Sequence, residues 1–341
     1  MTLKNSQDSR FPAIICIGEA LVDRLGPLGG NPKEESEDFF GGAPANVACA
    51  LAKLGASVAF IGRIGEDKIG KEFVSLMIDR GINLDSLQVD DERPTRVVLV
   101  KRDLNGERSF ESFEGDVGQG FADEALELEE ITMTWPLISK HAHWLLTGSI
   151  PLASATSSKS LLWLIDKACS KDIQIALDIN WRPKFWDLRN SATSNPSNQV
   201  IEAINYLIEK ASLLKLAKEE AIWFFDQHDP MAISKSLPNV PDVVVTDGAN
   251  PISWFISGNS GEMPVFSPKV VIDTTGAGDA FTAGLIYQLS RYKEFNNNLD
   301  VKKINSIMRF ASACGAWVCS GPGAIEPQPS QKDLEDFLSN L

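Results

Sequence analysis

Six short β-branched or apolar runs, each followed by a longer stretch with apolar residues at helical spacing, leave this chain few folds to choose from. They stand at Ala13–Ile17, Val58–Ile61, His143–Leu146, Ile173–Asp178, Leu213–Leu216 and Val243–Thr246. Parallel neighbours in a sheet need a crossover, and a helix is the crossover that covers a sheet face with its own apolar stripe. The expectation is an α/β protein with a mostly parallel central sheet and helices on both faces. Helices are predicted over Ala43–Lys53, Gly70–Arg80, Ser157–Ser170, Asn198–Glu209, Lys218–Phe225, Gly278–Ser290, Asn305–Cys319 and Gln331–Leu341, most of them apolar along one side.

Residues 94–113 follow a different period. Pro94 opens an alternating stretch, a turn at Leu104-Asn105-Gly106-Glu107 interrupts it, and Arg108–Phe113 alternates again, the pattern of a β-hairpin closed by Asn-Gly. With the Leu21–Phe40 region, this hairpin is expected to make a small β lid beside the main sheet. Arg189–Asn198, with its Ser, Asn and Pro, reads as a surface loop.

The 341 residues, 43% of them hydrophobic, can bury one full core with a small appendage rather than two equal domains. Lys and Arg number 32 against 46 Asp and Glu, a balance of -14 without a basic cluster, which argues against nucleic acid or an anionic membrane as partner. The opening MTLKNSQDSR is polar, and the apolar run behind it is too short for a signal or a span, so the protein is expected to be cytoplasmic. Cys16, Cys49, Cys169, Cys314 and Cys319 show no metal spacing and are expected as reduced core residues. His141, His143 and His228 have neither metal spacing nor a nucleophile to serve, and no Gly-x-Ser-x-Gly elbow supports triad hydrolysis.

The segment with most chemistry is VVIDTTGAGDAF, Val270 to Phe281, an apolar run that enters a glycine turn and continues as a helix. Gly276, Ala277 and Gly278 have little or no side chain, so main-chain N–H groups at a helix start can come close to an anion, aided by the helix dipole. Asp279, in the first helical turn, sets a carboxylate beside that hole, where it can take a proton from an attacking hydroxyl during phosphoryl transfer. Taken alone, the same residues also fit a tight turn with an acid capping the helix. No Gly-Lys-Ser/Thr follows and no third glycine stands at the dinucleotide spacing, so neither a Walker A loop nor a nicotinamide site is indicated.

DTTGAGDAF closely resembles the C-terminal signature of the PfkB, or ribokinase-like, family of carbohydrate kinases. Gly41-Gly42-Ala43-Pro44-Ala45-Asn46, followed by LAKLG and IGRIGEDKIG, resembles its N-terminal signature. The resemblance covers roughly residues 12 to 335. It implies a ribokinase-like three-layer α/β/α sandwich with a lid from about 21–40 and 92–114, and an ATP-dependent sugar kinase that uses Mg²⁺.

The resemblance also assigns residues. It places Gly41, Gly42, Asn46 and Asp23 against the sugar, with Asp23 at the end of the first strand. DINWRP, Asp178 to Pro183, resembles the fructokinase and 2-keto-3-deoxygluconate kinase branch. There Arg182 would meet substrate oxygens or the moving phosphoryl charge; a structural pairing of Arg182 within the loop is the alternative. Lys215 and Glu220 fall in the family's Asn-x-x-Glu element, with Ala217 replacing Asn and Glu220 expected to hold magnesium through water. Thr246 and Gly248 would lie along the nucleotide, with Pro251 where a second glycine is usual, and Ser312 would border the adenine. A monovalent cation, K⁺, is implied near Asp273, Thr275 and Gly323. Fructose is the favoured acceptor, phosphorylated on a primary hydroxyl to fructose 6-phosphate. A 2-keto-3-deoxygluconate kinase or ribokinase-type enzyme is the alternative, and a catalytically silent sugar- or nucleotide-binding regulator is the reading of a different class. A homodimer through the lid edge is also implied.

Overall fold

In the computed structural model, which describes residues 12–104, 108–116, 118–293 and 299–340, the first apolar run forms strand β1 (Ile14–Ile17), buried along its whole length. Its side chains alternate between two cores, Ile14 and Cys16 in one and Ile15 and Ile17 in the other. A strand buried on both faces needs cover on both, and this is what the helices supply.

The chain then leaves the main sheet for an antiparallel pair, β2 (Leu21–Leu28) and β3 (Glu37–Gly41), and returns through α1 (Ala43–Lys53) to β4 (Val58–Gly65). Helix α2 (Lys68–Asp79) leads to β5 (Leu87–Asp90), and the hairpin β6 (Val97–Arg102) and β7 (Arg108–Glu114) follows. Beyond it come α3 (Leu128–Ile138), β8 (Trp144–Thr147), α4 (Ala155–Cys169), β9 (Gln174–Asp178), the short α5 (Pro183–Trp186) and α6 (Asn198–Ile208). Next stand β10 (Leu213–Ala217), α7 (Lys218–Phe225), α8 (Pro230–Ser236), β11 (Asp242–Asp247), β12 (Asn250–Ile256) and β13 (Asn259–Met263). Three helices close the chain: α9 (Ala277–Lys293), α10 (Val301–Val318) and α11 (Gln331–Ser339).

The large sheet has nine strands in the order β13-β12-β11-β10-β9-β8-β1-β4-β5, all parallel except the β11–β12–β13 meander at one edge. The small sheet runs β3-β2-β6-β7. All six anticipated runs are strands of the large sheet, and the anticipated helices agree to within a few residues. The hairpin is present as well, although its Asn105-Gly106 turn lies outside the described residues.

Several elements differ from expectation. Asp23 is not at the end of the first strand but is the third residue of β2, in the small sheet. The meander strands β12 and β13 and helices α3 and α8 were not anticipated, because their apolar residues are interrupted by Pro, Gly or Asn. Pro251 sits where the β11–β12 register shifts, a break in the ladder that needs no N–H from it. The five cysteines are free, but only Cys16, Cys49 and Cys314 are buried; Cys319 is half-buried and Cys169, at the end of α4, is exposed.

Candidate active site

The turn before α9 is organised by one buried carboxylate. Asp273 Oδ1 accepts from the Thr275 N–H at 3.0 Å and the Thr275 hydroxyl at 2.8 Å, while Oδ2 accepts from the Gly323 N–H at 2.8 Å. Gly276 has φ +75°, and a Cβ there would stand 2.5 Å from that of Ala324, so only glycine fits. The apolar residues leading in, Val270, Val271 and Ile272, form no strand and are 53 to 66% exposed.

Ala277 departs from expectation. Its N–H donates to the Thr274 carbonyl at 3.2 Å, because the chain must close this turn before the helix begins. The amides of Gly276 and Gly278 have no internal partner among the described residues. They are free for an anion at the positive end of a helix of 17 residues.

Asp279 sits beside them. Its Oδ2 accepts from Asn46 Nδ2 at 2.7 Å, across 233 residues of chain. Burial raises the pKa of Asp279; the Asn46 hydrogen bond works against the rise, the charge of Asp178 adds to it, and Lys215 and Arg182 oppose it. The carboxylate is thereby made a better proton acceptor than a solvated one while Asn46 fixes its direction.

Beneath the amides, Lys215 and Asp178 are direct neighbours on adjacent parallel strands. The ammonium reaches both Asp178 oxygens, at 3.1 and 3.0 Å, and lies 3.3 Å from where a Cβ on Gly278 would stand. Burial disfavours the charge on Lys215, but Asp178 and Glu220 outweigh it and the pKa is raised, so the cation persists. Thr282 also donates to Asp178, at 3.1 Å. Glu220 is buried with both oxygens engaged, Oε1 by the Trp181 N–H at 2.6 Å and Oε2 by the Ala217 N–H at 2.8 Å. It braces the DINWRP loop and, in place of the missing side chain at 217, caps α7.

Two cavities meet at Thr274 and Gly278. The first, of 450 Å³, is the more polar of the two; Asp23, Gly42, Asn46, Arg182, Lys215 and Asp279 face it, and Val98, Val100 and Phe110 of the small sheet cover it. The second, of 470 Å³, is mostly apolar and runs past Thr246, Gly248, Val271, Phe281 and Ser312.

The structure thus brings Asp23, Gly42, Asn46, Arg182, Gly276, Gly278 and Asp279 to one chamber, and Thr246, Gly248 and Ser312 to the other. Gly41 adjoins Asp23, 3.0 Å from its Oδ2 to an ideal Cβ position. Four expected residues are engaged otherwise. Lys215 faces the polar chamber rather than the apolar slot, and Glu220 is turned to backbone amides. Ser312 spends its hydroxyl on the Pro264 carbonyl at 3.2 Å, while the Phe266 N–H donates to it at 3.4 Å. Arg182 is exposed and donates to the Trp181 carbonyl at 3.0 Å; no Asp pairs with it in the loop. Sequence reasoning missed Glu19, which is 3% exposed and accepts from the Ala43 N–H at 3.0 Å. An acid next to a strand-end glycine inside an apolar context was the available signal.

An acid beside main-chain amides in a polar chamber, with an apolar slot behind, is an arrangement suited to moving a phosphoryl group from a nucleotide to a small polar acceptor. The comparisons with known proteins agree. The model of the pfkB family carbohydrate kinases matches residues 12–331, and the chain belongs to that family, as an ATP-dependent carbohydrate kinase. It is similar to a fructokinase of Vibrio alginolyticus, 30% identical over 94% of this chain and 97% of the relative. A probable chloroplastic fructokinase of Arabidopsis thaliana is also 30% identical, over 96% of this chain and 82% of the relative. Among solved structures, a Xylella fastidiosa fructokinase with bound ATP superposes with a TM-score of 0.80 at 27% identity, covering 96% of this chain and 98% of that one. A double-mutant Vibrio cholerae fructokinase in a fructose-, ADP- and potassium-bound form gives 0.79 at 27% identity, covering 98% and 100%.

Proposed function

We propose that the protein phosphorylates the primary hydroxyl of fructose, giving fructose 6-phosphate, with Asp279 as the general base. The observation that carries the reading is the placement of Asp279, held by Asn46 at 2.7 Å, between a polar chamber and two unpaired amides. The sugar hydroxyl would face Asp279 with Asp23, Asn46 and Arg182 around the other oxygens. As its oxygen bonds to the γ-phosphorus, its proton passes to Asp279. The bond from that phosphorus to the bridging oxygen breaks, and ADP leaves with the electron pair. The amides of Gly276 and Gly278, with the Lys215 cation beneath, meet the charge on the transferring group. The adenine would lie in the slot past Thr246, Gly248 and Ser312, whose mostly apolar lining supports ATP as donor.

Mg²⁺ belongs to this reading as part of the nucleotide substrate. Among the described residues no cluster of three or more His, Cys, Asp or Glu is placed to hold a metal, and Glu220 is already engaged, so no step is assigned to a protein-held ion. A potassium ion would sit at the loop that Asp273, Thr275 and Gly323 tie together, supported by that gathering alone. The small sheet acts as the lid, with β3 and β7 as the edges through which two copies would pair. A cytoplasmic location fits a chain in which no described helix is long and apolar enough to cross a membrane.

The relatives' names support fructose, whereas the exposed guanidinium of Arg182 in the chamber favours a sugar acid such as 2-keto-3-deoxygluconate as second reading. ADP release from a panel of free sugars decides between them. Fructose is expected to give the highest kcat/KM, and a higher value for the sugar acid would displace it. Binding of ATP and sugar without ADP release would leave only a silent regulator.

A further inference from the structure

Glu19 lies between β1 and β2, at the floor of the polar chamber, yet no role in the transfer has been given to it. Its Oε1 accepts from the N–H of Ala43, the first residue of α1, at 3.0 Å. Its Oε2 is buried and has no hydrogen-bond partner among the described residues, and neither has Oδ1 of Asn46, one turn further along the same helix. The glycine turn is seated directly on it: a Cβ on Gly42 would come within 2.4 Å of the Glu19 carbonyl oxygen.

The groups that bear on Glu19 are mostly acidic. Asp123, in the turn 122–125, and Asp279, on α9, both act to keep it protonated. Asp123 is itself taken by Arg96, at 2.9 Å. Asp23, Arg182 and Lys215 line the same chamber, but no cation among the described residues is bonded to Glu19, and Lys215 is taken by Asp178. An ionised Glu19 would be a buried anion with one oxygen unpartnered and the charges of Asp123 and Asp279 acting against it, a costly arrangement.

We propose that Glu19 is a positioning residue for phosphoryl transfer: as the uncharged acid it holds the Ala43 amide, and through α1 the Asn46 side chain, in the register that aims Asp279 at the substrate. Ionisation of Glu19 draws the helix start out of that register and switches turnover off. The proposal rests on the reading of Asp279 as the base. Burial above all pushes the Glu19 pKa up to about 8, which places the switch on the alkaline side of neutrality.

The experiment is the pH dependence of kcat/KM for the sugar in the wild-type chain and in Glu19→Gln, which cannot ionise but still offers an oxygen to Ala43. The wild type is expected to lose activity ~10-fold per pH unit above about 8. Glu19→Gln is expected to lie ~3-fold lower at pH 7, because its NH2 group must be placed where the buried, unpartnered Oε2 stands, and to lack the alkaline fall. An alkaline limb of the same position in both proteins overturns the proposal. Asp279→Asn run alongside separates the two readings: if it keeps its turnover the base assignment fails, whereas the Glu19 result is read from the shape of the limb alone. Should Glu19→Gln not fold, ¹³C NMR of the Glu19 carboxyl in the wild type gives the answer. A carboxyl that ionises below pH 6 overturns the proposal, and one still protonated at pH 7 upholds it.

Discussion

At the scale of single residues, the site separates groups that do chemistry from groups that hold them. Asp279→Asn keeps the shape and the contact to Asn46 but cannot take a proton, so kcat is expected to fall by at least ~10² with ATP affinity nearly unchanged, as a steady-state and binding comparison would show. Lys215→Met is expected to act differently, since it leaves Asp178 buried without its cation. A loss of ~3–5 kcal/mol in urea unfolding is the expected result, alongside a drop in turnover. The division also explains what sequence reading could reach. Gly276, Gly278 and Asp279 are consecutive or nearly so, and a helix start imposes their geometry on any chain that carries them. Glu19 and the Asp178–Lys215 pair become meaningful only once strands far apart in sequence are neighbours. The free amides of Gly276 and Gly278 were legible, but the inward turn of Ala277 was not, because only the Thr274 carbonyl reveals it.

At the scale of elements, the joint between the small sheet and the body depends on Arg96, which precedes β6. Its buried guanidinium pairs with Asp123 at 2.9 Å and Glu124 at 2.6 Å, and it lies 4.3 to 4.9 Å from the ring centres of Phe113, Phe121 and Phe185. Phe113 belongs to β7 and Phe185 to α5, so one cation ties the hairpin to the DINWRP loop. Arg96→Met strands Asp123 and is expected to cost ~3 kcal/mol in stability. It should also raise the sugar KM more than it lowers kcat, which initial-rate kinetics would register. Helix α9 makes a comparable demand at its start. Gly276→Ala would force a Cβ into Ala324 and an unfavourable φ, a strain of ~1–3 kcal/mol, and loss of ATP binding by calorimetry is the expected sign that the amides have moved. The periodicity of α9 and of the central strands was plain in sequence. Strands β12 and β13, and helices α3 and α8, were not, since their short polar-interrupted patterns take form only against the finished core.

At the scale of the whole molecule, the two chambers draw on residues from many parts of the chain, and the ligands should tighten the fold. ATP at 100 times its Kd is expected to add about 2.7 kcal/mol of apparent stability, measurable as a rise in Tm; no rise would remove the apolar slot as its site. Linkage gives a second global signature. Glu19 holds in the folded state a proton that the unfolded chain releases near pH 4.5, so its contribution to stability is full below that value and is lost as pH climbs to about 8. Melting temperatures of the wild type should therefore decline across that window more steeply than those of Glu19→Gln.

The hydrogen bond from Asn46 to Asp279 spans 233 residues of chain, and it has an implication for how the enzyme is made. A chain emerging from the ribosome carries Asp23 and Asn46 well before it gains the 276–279 turn. Until then it lacks the proposed proton acceptor and anion cradle, so a product truncated before that turn is expected to consume no nucleotide.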